Sequence, residues 1–213
     1  PIMKKIINFP SKTYKDSSKY FKDYIETKNI LLKKIDQKKL NLLIKDILTV
    51  IKKGNNFFSC GNGGSAATAE HLSCDFLKGS CTNTNLNIKV LSLSSNTTLV
   101  TAIANDISYD DIFSYQLNKL GASGDVLFAF SVSGSSKNII KCVKVAKKKK
   151  IKIISFTGFN GGKLRKLSVH NINIDLNNFG IVEDCHLTLM HYISQFIRNL
   201  HLKKKNQINK INF

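Results

Sequence analysis

The stretch 57–71 reads FFSCGNGGSAATAEH and joins an apolar strand, a glycine turn and a helix. Proteins of the α/β class bind anions at such a join, because glycines let the backbone approach a ligand and the first amides of the helix point outward unpaired. The spacing differs from the dinucleotide fingerprint, and no Gly-Lys-Ser/Thr follows as in a Walker loop. The turn therefore predicts a phosphate group, and it favours neither a nicotinamide dinucleotide nor a nucleoside triphosphate.

A second unit of the same kind lies further along the chain. The run 125–130 reads DVLFAF, the turn 131–136 reads SVSGSS, and a helical pattern follows from Lys137. Serine hydroxyls and backbone amides donate hydrogen bonds without imposing a large charge, which suits a phosphate monoester of a polyol. Either turn alone is equally typical of an ordinary helix N-cap. The two turns together favour one ligand that is held from two sides.

Composition limits the class of protein. A chain of 213 residues with 42% hydrophobic content is sufficient for one substantial core. We see no apolar run of membrane-spanning length and no cleavable signal, so we expect a cytoplasmic protein without a membrane partner. The five cysteines form no CxxC pair and are odd in number, which indicates reduced thiols.

The charge of the chain is strongly positive. The formal net charge is +19, but only Arg165 and Arg198 of the 33 basic residues are arginine. Direct readout of bases favours the bidentate fork of arginine. The lysine runs at 147–150 and 203–205 are typical of a solvated helix end and tail. We therefore expect no specific nucleic-acid partner, although nonspecific association at low salt is expected.

Hydrophobic periodicity predicts alternating helices and strands. The predicted strands are 56–60, 88–93, 125–131, 151–156 and 170–175. The predicted helices are 16–34, 38–53, 64–77, 96–104, 109–120, 136–149, 162–167 and 182–202. This alternation predicts a three-layer α/β/α sandwich with a mainly parallel five-stranded sheet. We expect a single domain over 1–213, with N-terminal helices in 1–54, an α/β core in 55–202 and a basic tail in 203–213 that frays.

Several further segments accompany the two turns. In chain order the segments are Cys60-Gly61-Asn62-Gly63-Gly64-Ser65, Glu70-His71, Ala104-Asn105-Asp106, Tyr109-Asp110-Asp111-Ile112-Phe113, Gly124-Asp125-Val126-Leu127, Ser131-Val132-Ser133-Gly134-Ser135-Ser136, Thr157-Gly158-Phe159-Asn160-Gly161-Gly162, Glu183-Asp184-Cys185-His186 and His191. In these segments the chain resembles the sugar isomerase (SIS) family, and within it the phosphoheptose isomerases, which interconvert sedoheptulose 7-phosphate and D-glycero-D-manno-heptose 7-phosphate. The resemblance implies a flavodoxin-like sandwich, assembled as a homotetramer with active sites between subunits.

Moving a carbonyl between two sugar carbons requires a base, a group that stabilises the enediolate and an acid. His71 and Asp75 are four residues apart on one helix face and can bind one cation. The resemblance implies metal ligands at His71, Asp75, Glu183 and His191, with Asp75 and His191 also catalytic. This set suits Zn²⁺, and iron, nickel or manganese fit the same ligand types.

The chain departs from the family at two of these ligands. Asp75 stands where the family has glutamate, and Glu183 stands where it has glutamine. Asp184 is an alternative to Glu183, because seven residues before His191 is close to two helical turns. Whether Asp75 is base, ligand or both stays open, and His191 is either the acid or a ligand. His186 points to another face than His191, and we interpret it as a packing residue or as a residue that supports a metal ligand.

The resemblance also implies a set of substrate-binding residues. They are Asn62, Gly63, Gly64, Ser65, Asp75, Asn105, Asp106, Ser131, Val132, Ser133, Ser136 and Glu183. Val132 replaces a threonine found in some members, so one hydroxyl is absent there. Relatives often carry an arginine at the position of Gly79, and in this chain Lys78 lies beside it.

These features predict a phosphoheptose isomerase that acts through an enediol in heptose precursor synthesis for surface glycans. The first alternative is a noncatalytic SIS module that binds phosphosugars or tethers replication initiators. Such a module lacks a complete ligand set, whereas this chain has a chelating residue at all four positions. The second alternative is an isomerase of another sugar phosphate, and the sequence does not distinguish it.

Overall fold

The computed structural model describes residues 7–203. Its strands are β1 (Ile7–Asn8), β2 (Asn56–Cys60), β3 (Lys89–Ser92), β4 (Val126–Ser131), β5 (Lys152–Gly158), β6 (His170–Ile174) and β7 (Leu176–Asn177). Its α-helices are α1 (Ser17–Lys33), α2 (Gln37–Lys53), α3 (Gly64–Cys74), α4 (Thr97–Asp106), α5 (Ser114–Leu120), α6 (Lys137–Lys148), α7 (Gly162–Leu167) and α8 (Phe179–Leu200). A π-helical turn (Asp75–Gly79) follows α3, and a 3-10 turn (Tyr109–Asp111) precedes α5.

The main sheet is entirely parallel. Within residues 7–203 it has five strands in the order β3-β2-β4-β5-β6, and β1 pairs separately with β7. The register of β2 and β4 runs from Phe57 opposite Val126 to Cys60 opposite Ala129. The two strands therefore end at the same edge of the sheet. The predicted α/β class and parallel five-stranded sheet are confirmed.

Side chains of successive strand residues alternate between two cores. Phe57, Phe128 and Phe156 lie in the core that α2, α3 and α8 cover. Phe58 and Leu127 lie in the core that α5 and α6 cover. This alternation gives the predicted three layers, with helices on both faces of the sheet.

Helix boundaries differ from the predictions by more than two residues at three places. The helix predicted over 64–77 ends at Cys74 and continues as the π-helical turn, in which the Ser80 amide bonds the Asp75 carbonyl at 2.7 Å. The helix predicted over 109–120 is a 3-10 turn followed by α5. The last helix begins at Phe179 and not at 182, because the Asn178 side chain caps it by accepting from the Ile181 amide.

Two other expectations concern the surroundings of the fold. Apart from Lys203, the tail expected to fray over 203–213 lies outside the described residues. Among the helices of residues 7–203, none has the length and apolar character needed to cross a membrane.

His186 is a buried histidine between the sheet and α8. It is 1% exposed and packs against the rings of Phe130 and Phe156, with centroids 6.4 and 6.0 Å away. Its Nε2 lies 3.1 Å from the Thr157 carbonyl oxygen, which can only accept, so Nε2 carries the proton. Burial lowers the pKa of His186 to about 4. The interpretation of His186 as a packing residue agrees with this position.

We predict that His186 makes the protein less stable as the pH falls. The unfolded imidazole binds a proton near its usual pKa of about 6.5, whereas the folded one does so only near 4. Unfolding therefore takes up a proton in this range, and the free energy of unfolding drops by about 2 kcal/mol between pH 7.5 and 5. In His186→Gln this part of the loss is absent. Urea unfolding at both pH values measures it, with His201→Gln as the control. An unchanged loss in His186→Gln contradicts the prediction.

Candidate active site

The two turns recognised in the sequence open on one cavity of about 280 Å³. Nine of the predicted substrate-binding residues line it: Asn62, Gly63, Gly64, Ser65, Ser131, Val132, Ser133, Ser136 and Glu183. Phe130 and Phe179 complete the lining. Sequence reasoning missed these two aromatic residues: Phe130 lies on β4 directly before the serine loop, and Phe179 is the first residue of α8, which begins earlier than predicted.

The glycine turn has the shape that its sequence requires. Gly63 adopts φ 55° and ψ −126°, a conformation essentially restricted to glycine, and from there the chain enters α3. A Cβ on Gly61 would collide with the backbone carbonyl group of Ser65. The Ser94 hydroxyl donates to the Gly61 carbonyl at 3.1 Å and ties the turn to the loop after β3.

The serine loop forms the other wall of the cavity. It follows β4, and its last residue, Ser136, precedes α6 without a side-chain cap bond to that helix. The Ser136 hydroxyl is therefore not committed to capping α6. Because α3 and α6 both begin at the cavity, two helix N-termini direct positive partial charge toward it. The arrangement suits a dianionic phosphate.

Glu183 lies above the first residue of α3. A Cβ added to Gly64 would collide with the Glu183 carboxyl group, so the two residues are in close contact. Burial raises the pKa of this carboxyl group, and the neighbouring charge of Asp184 raises it further. Glu183 therefore faces the cavity as a partly desolvated acid.

A second group of chelating side chains lies at the far end of α3. His71 Nε2 is 3.0 Å from His191 Nε2 and 3.5 Å from Asp75 Oδ1, and His191 Nε2 is 3.9 Å from Asp75 Oδ2. A tetrahedral Zn²⁺ sphere with nitrogen and oxygen ligands has ligand–ligand edges of about 3.3 Å. Two imidazole nitrogens at this separation require a proton or a cation between them. The three residues thus fit a divalent cation.

Ser194 holds the carboxylate of this group. Its hydroxyl donates to Asp75 Oδ2 at 2.9 Å, and Ser194 is 2% exposed. Carboxylates that ligate metals are usually hydrogen-bonded in this way, which fixes their orientation. Asp75 is thus oriented although its side chain is one methylene shorter than glutamate.

Glu183, predicted as a fourth metal ligand, lies outside this group. The helices α3 and α8 run parallel, so Glu183 faces Gly64 while His191 faces His71. Eight residues of helix separate Glu183 from His191 by about 12 Å. In this chain the structure therefore brings together three of the four predicted ligands and places Glu183 at the cavity between the two turns.

The alternative ligand Asp184 faces a different element. The Tyr24 hydroxyl of α1 donates to Asp184 Oδ2 at 2.8 Å, and Lys28 Nζ lies 4.0 Å from the same oxygen. Burial, and then the hydrogen bond to Asp184, raise the pKa of Tyr24 to about 12. Asp184 therefore connects α8 to α1 and lies apart from the three chelating residues.

Asn105 and Asp106, predicted to contact the sugar, lie at the end of α4. Both are exposed, and the Asn105 amide donates to Asp106 Oδ1 at 2.8 Å. Neither lines the cavity. In this chain the structure thus does not bring them to the predicted substrate residues of the two turns.

The fold and the site define an α/β protein with a cavity between adjacent turns of a parallel sheet, and the lining of this cavity suits a phosphorylated ligand. The sequence profile of the SIS domain matches residues 19–158, and the chain belongs to the SIS domain family. It is 34% identical to the phosphoheptose isomerase of Aliarcobacter butzleri over 184 residues, covering 85% of this chain and 97% of that protein. It is 32% identical to the phosphoheptose isomerase of Helicobacter pylori over 187 residues, covering 87% and 96%.

The same similarity extends to solved structures. A phosphoheptose isomerase from Neisseria gonorrhoeae superimposes with a TM-score of 0.77 and 29% identity, covering 85% of this chain and 96% of that one. The predicted family and the predicted enzyme class, an isomerase, are therefore confirmed.

We predict that Gly61→Ala damages the cavity and the fold together. The new Cβ meets backbone atoms, which cannot rotate away, so overpacking should cost roughly 1–3 kcal/mol of unfolding free energy. Binding of inorganic phosphate should weaken with it. Urea unfolding and calorimetry measure the two effects. Gly180→Ala is the control, because its Cβ meets the Tyr24 hydroxyl at an ordinary 3.5 Å. Equal behaviour of the two variants contradicts this account.

Proposed function

We propose that the protein is a ketose–aldose isomerase that interconverts sedoheptulose 7-phosphate and D-glycero-D-manno-heptose 7-phosphate in heptose precursor synthesis for surface glycans. The observation that carries this proposal is the arrangement of α3 and α8. Their first turns border the phosphate cavity, and His71, Asp75 and His191 lie near the end of α3. Gly64 and His71 are separated by about 10 Å along the helix. This separation is comparable to the length of an extended seven-carbon sugar phosphate.

The phosphate end of the substrate is held by the two turns. Backbone amides at the starts of α3 and α6 donate to the phosphate oxygens, and the hydroxyls of Ser131, Ser133 and Ser136 add to them. Glu183 contacts a sugar hydroxyl between the phosphate and the reacting carbons. The reacting end of the sugar then extends toward Asp75 and His191.

The proton transfers use the two predicted catalytic residues. Asp75 removes the proton from C1 of the ketose while His191 gives a proton to the oxygen on C2, which produces the enediol. Asp75 then returns the proton to C2 while the hydroxyl on C1 gives its proton to His191, which restores both residues to their starting state. Zn²⁺ or another divalent cation would be held by His71, Asp75 and His191 and would polarise the sugar oxygens. With the cation bound, His191 Nε2 would be a ligand, so the proton would reach the oxygen on C2 through a water molecule in place of His191. Asp75 has two carboxylate oxygens, so one can ligate while the other accepts the proton.

We also propose a homotetramer in the cytoplasm with active sites at subunit interfaces. Tyr192, Phe196 and Leu200 lie on one face of α8 and are 39, 38 and 42% exposed. Leu77 on the π-helical turn is 52% exposed. A second subunit on this surface would cover apolar area next to His191 and enclose the open side of the metal site.

The first prediction concerns turnover. Purified protein with Zn²⁺ should convert sedoheptulose 7-phosphate to the aldose, and chelation should stop it. Asp75→Asn and His191→Ala should each lower kcat by about 100-fold or more, because each removes a proton-transfer group. Asp46→Asn is a matched control. Asp46 Oδ2 lies 2.7 Å from His170 Nε2, and neither residue lines the cavity.

Three other outcomes would change the proposal. Binding of the heptose phosphate without turnover identifies a noncatalytic module. Turnover of an arabinose or hexose phosphate in place of the heptose identifies another sugar isomerase. Full turnover after chelation shows that the reaction needs no metal, and the proposed proton transfers then stand without it.

The second prediction concerns assembly. Phe196→Lys places a charge in the proposed interface, so sedimentation equilibrium should show a shift from tetramer to smaller species. Val169→Lys is the control, because Val169 is also apolar and 62% exposed but precedes β6. A tetramer that persists in Phe196→Lys, or a wild-type monomer, would falsify this placement of the interface.

A further inference from the structure

We propose that Asn138 is a positioning residue of the phosphosugar site. It binds the side chain of Asn62 and so holds the glycine turn and the serine loop at a fixed separation. The inference deepens the proposed function, because it concerns the same cavity. It requires only that a phosphorylated ligand binds there.

The contact is a reciprocal amide pair. Asn62 Nδ2 donates to Asn138 Oδ1 at 2.9 Å, and Asn138 Nδ2 donates to Asn62 Oδ1 at 2.9 Å. Asn62 lies in the turn after β2, whereas Asn138 is the second residue of α6 and is 2% exposed. The pair therefore connects the two walls of the cavity directly.

Neighbouring groups determine the orientation of both amides. The Ile139 backbone amide donates to Asn138 Oδ1 at 2.9 Å, and an N–H group can only donate to an oxygen. The Tyr109 hydroxyl lies 3.2 Å from Asn62 Oδ1 as a second donor to that atom. A flipped Asn138 would direct its Nδ2 at the Ile139 amide and at Asn62 Nδ2, so only the observed orientation satisfies the pair.

The pair changes the role of Asn62. Its side-chain oxygen accepts two hydrogen bonds from the protein, and one of its two amide hydrogens is given to Asn138. Most of the hydrogen-bonding capacity of this side chain is thus used inside the protein. Asn62 therefore serves the ligand mainly by shaping the turn, and Asn138 holds it in that shape.

The benefit of the pair is preorganisation. Two helix N-termini face one cavity, and their positive ends repel each other until an anion is bound. A bond between the two walls opposes this repulsion in the free protein, so the ligand meets a cavity that is already formed. Loss of the pair should weaken phosphosugar binding and leave the group of His71, Asp75 and His191 unchanged.

The test compares two asparagine variants. Asn138→Ala removes the pair, and Asn171→Ala removes two bonds of 2.9 Å to Ser155 and Thr157, on β5 away from the cavity. Calorimetry measures binding of sedoheptulose 7-phosphate, inorganic phosphate and Zn²⁺, and thermal unfolding measures stability. We expect Asn138→Ala to weaken both phosphate ligands about tenfold or more with unchanged Zn²⁺ binding. Asn171→Ala should lose stability but keep its affinity.

Asn138→Asp covers the case in which the alanine variant does not fold. Aspartate has the same shape and still accepts from Asn62 and Ile139, but it cannot donate to Asn62 Oδ1. It should weaken phosphate binding as well.

The double variant Asn62→Ala with Asn138→Ala gives a further check. It should bind the phosphate ligands no more weakly than the weaker of the two single variants, because both substitutions remove the same interaction.

Several outcomes overturn the inference. They are wild-type affinity in the folded Asn138 variants, additive losses in the double variant, an equal loss of affinity in Asn171→Ala, and a wild-type protein that binds neither phosphate ligand. If the wild-type protein binds sedoheptulose 7-phosphate without isomerising it, the proposed function fails while the comparison of affinities still decides the role of Asn138.

Discussion

The parallel hydrogen-bond ladder between β2 and β4 positions the two turns that line the cavity. The chain leaves β2 toward β3 on one side and leaves β4 toward β5 on the other, so the crevice between them is the point where the strand order reverses. Ligands of open α/β sheets bind at such a point, outside the carboxyl ends of the strands. Because Cys60 pairs with Ala129, the two turns begin at the same level along the strand direction. The cavity is thus a consequence of register as much as of turn sequence.

A second constraint is the parallel packing of α3 against α8. It places the Glu183 carboxyl group at the cavity and the group of His71, Asp75 and His191 near the other end of α3, so one helix pair positions both sets of side chains. Glu183 stands beside a helix N-terminus, where a negative charge is favoured, but burial raises its pKa.

The sequence predicted the features that depend on local pattern. Every strand of the main sheet and both turns were placed correctly, because apolar runs, glycines and serines identify them within a few residues. The role of Asn138 was not predicted, since its partner Asn62 is 76 residues away and only the fold brings the two together. The positions of Asn105, Asp106 and Glu183 relative to the site depend on helix packing, which a motif does not record. The early start of α8 required recognition of Asn178 as its cap.

The π-helical turn after α3 separates the packing of α3 on the sheet from the placement of the Asp75 side chain, which a regular helix would combine. Up to Cys74, the helix packs its buried face on the sheet, and Phe76 in the wide turn returns to the same core with 0% exposure. A π-helical turn contains one residue more than an α-helical turn. The residues after Asp75 are therefore rotated about the helix axis, while the residues of α3 before it keep their positions. An insertion of one residue is thereby absorbed at a single point of the backbone. Position 75 lies at this point, so it can hold aspartate or glutamate while α3 keeps its packing on the sheet.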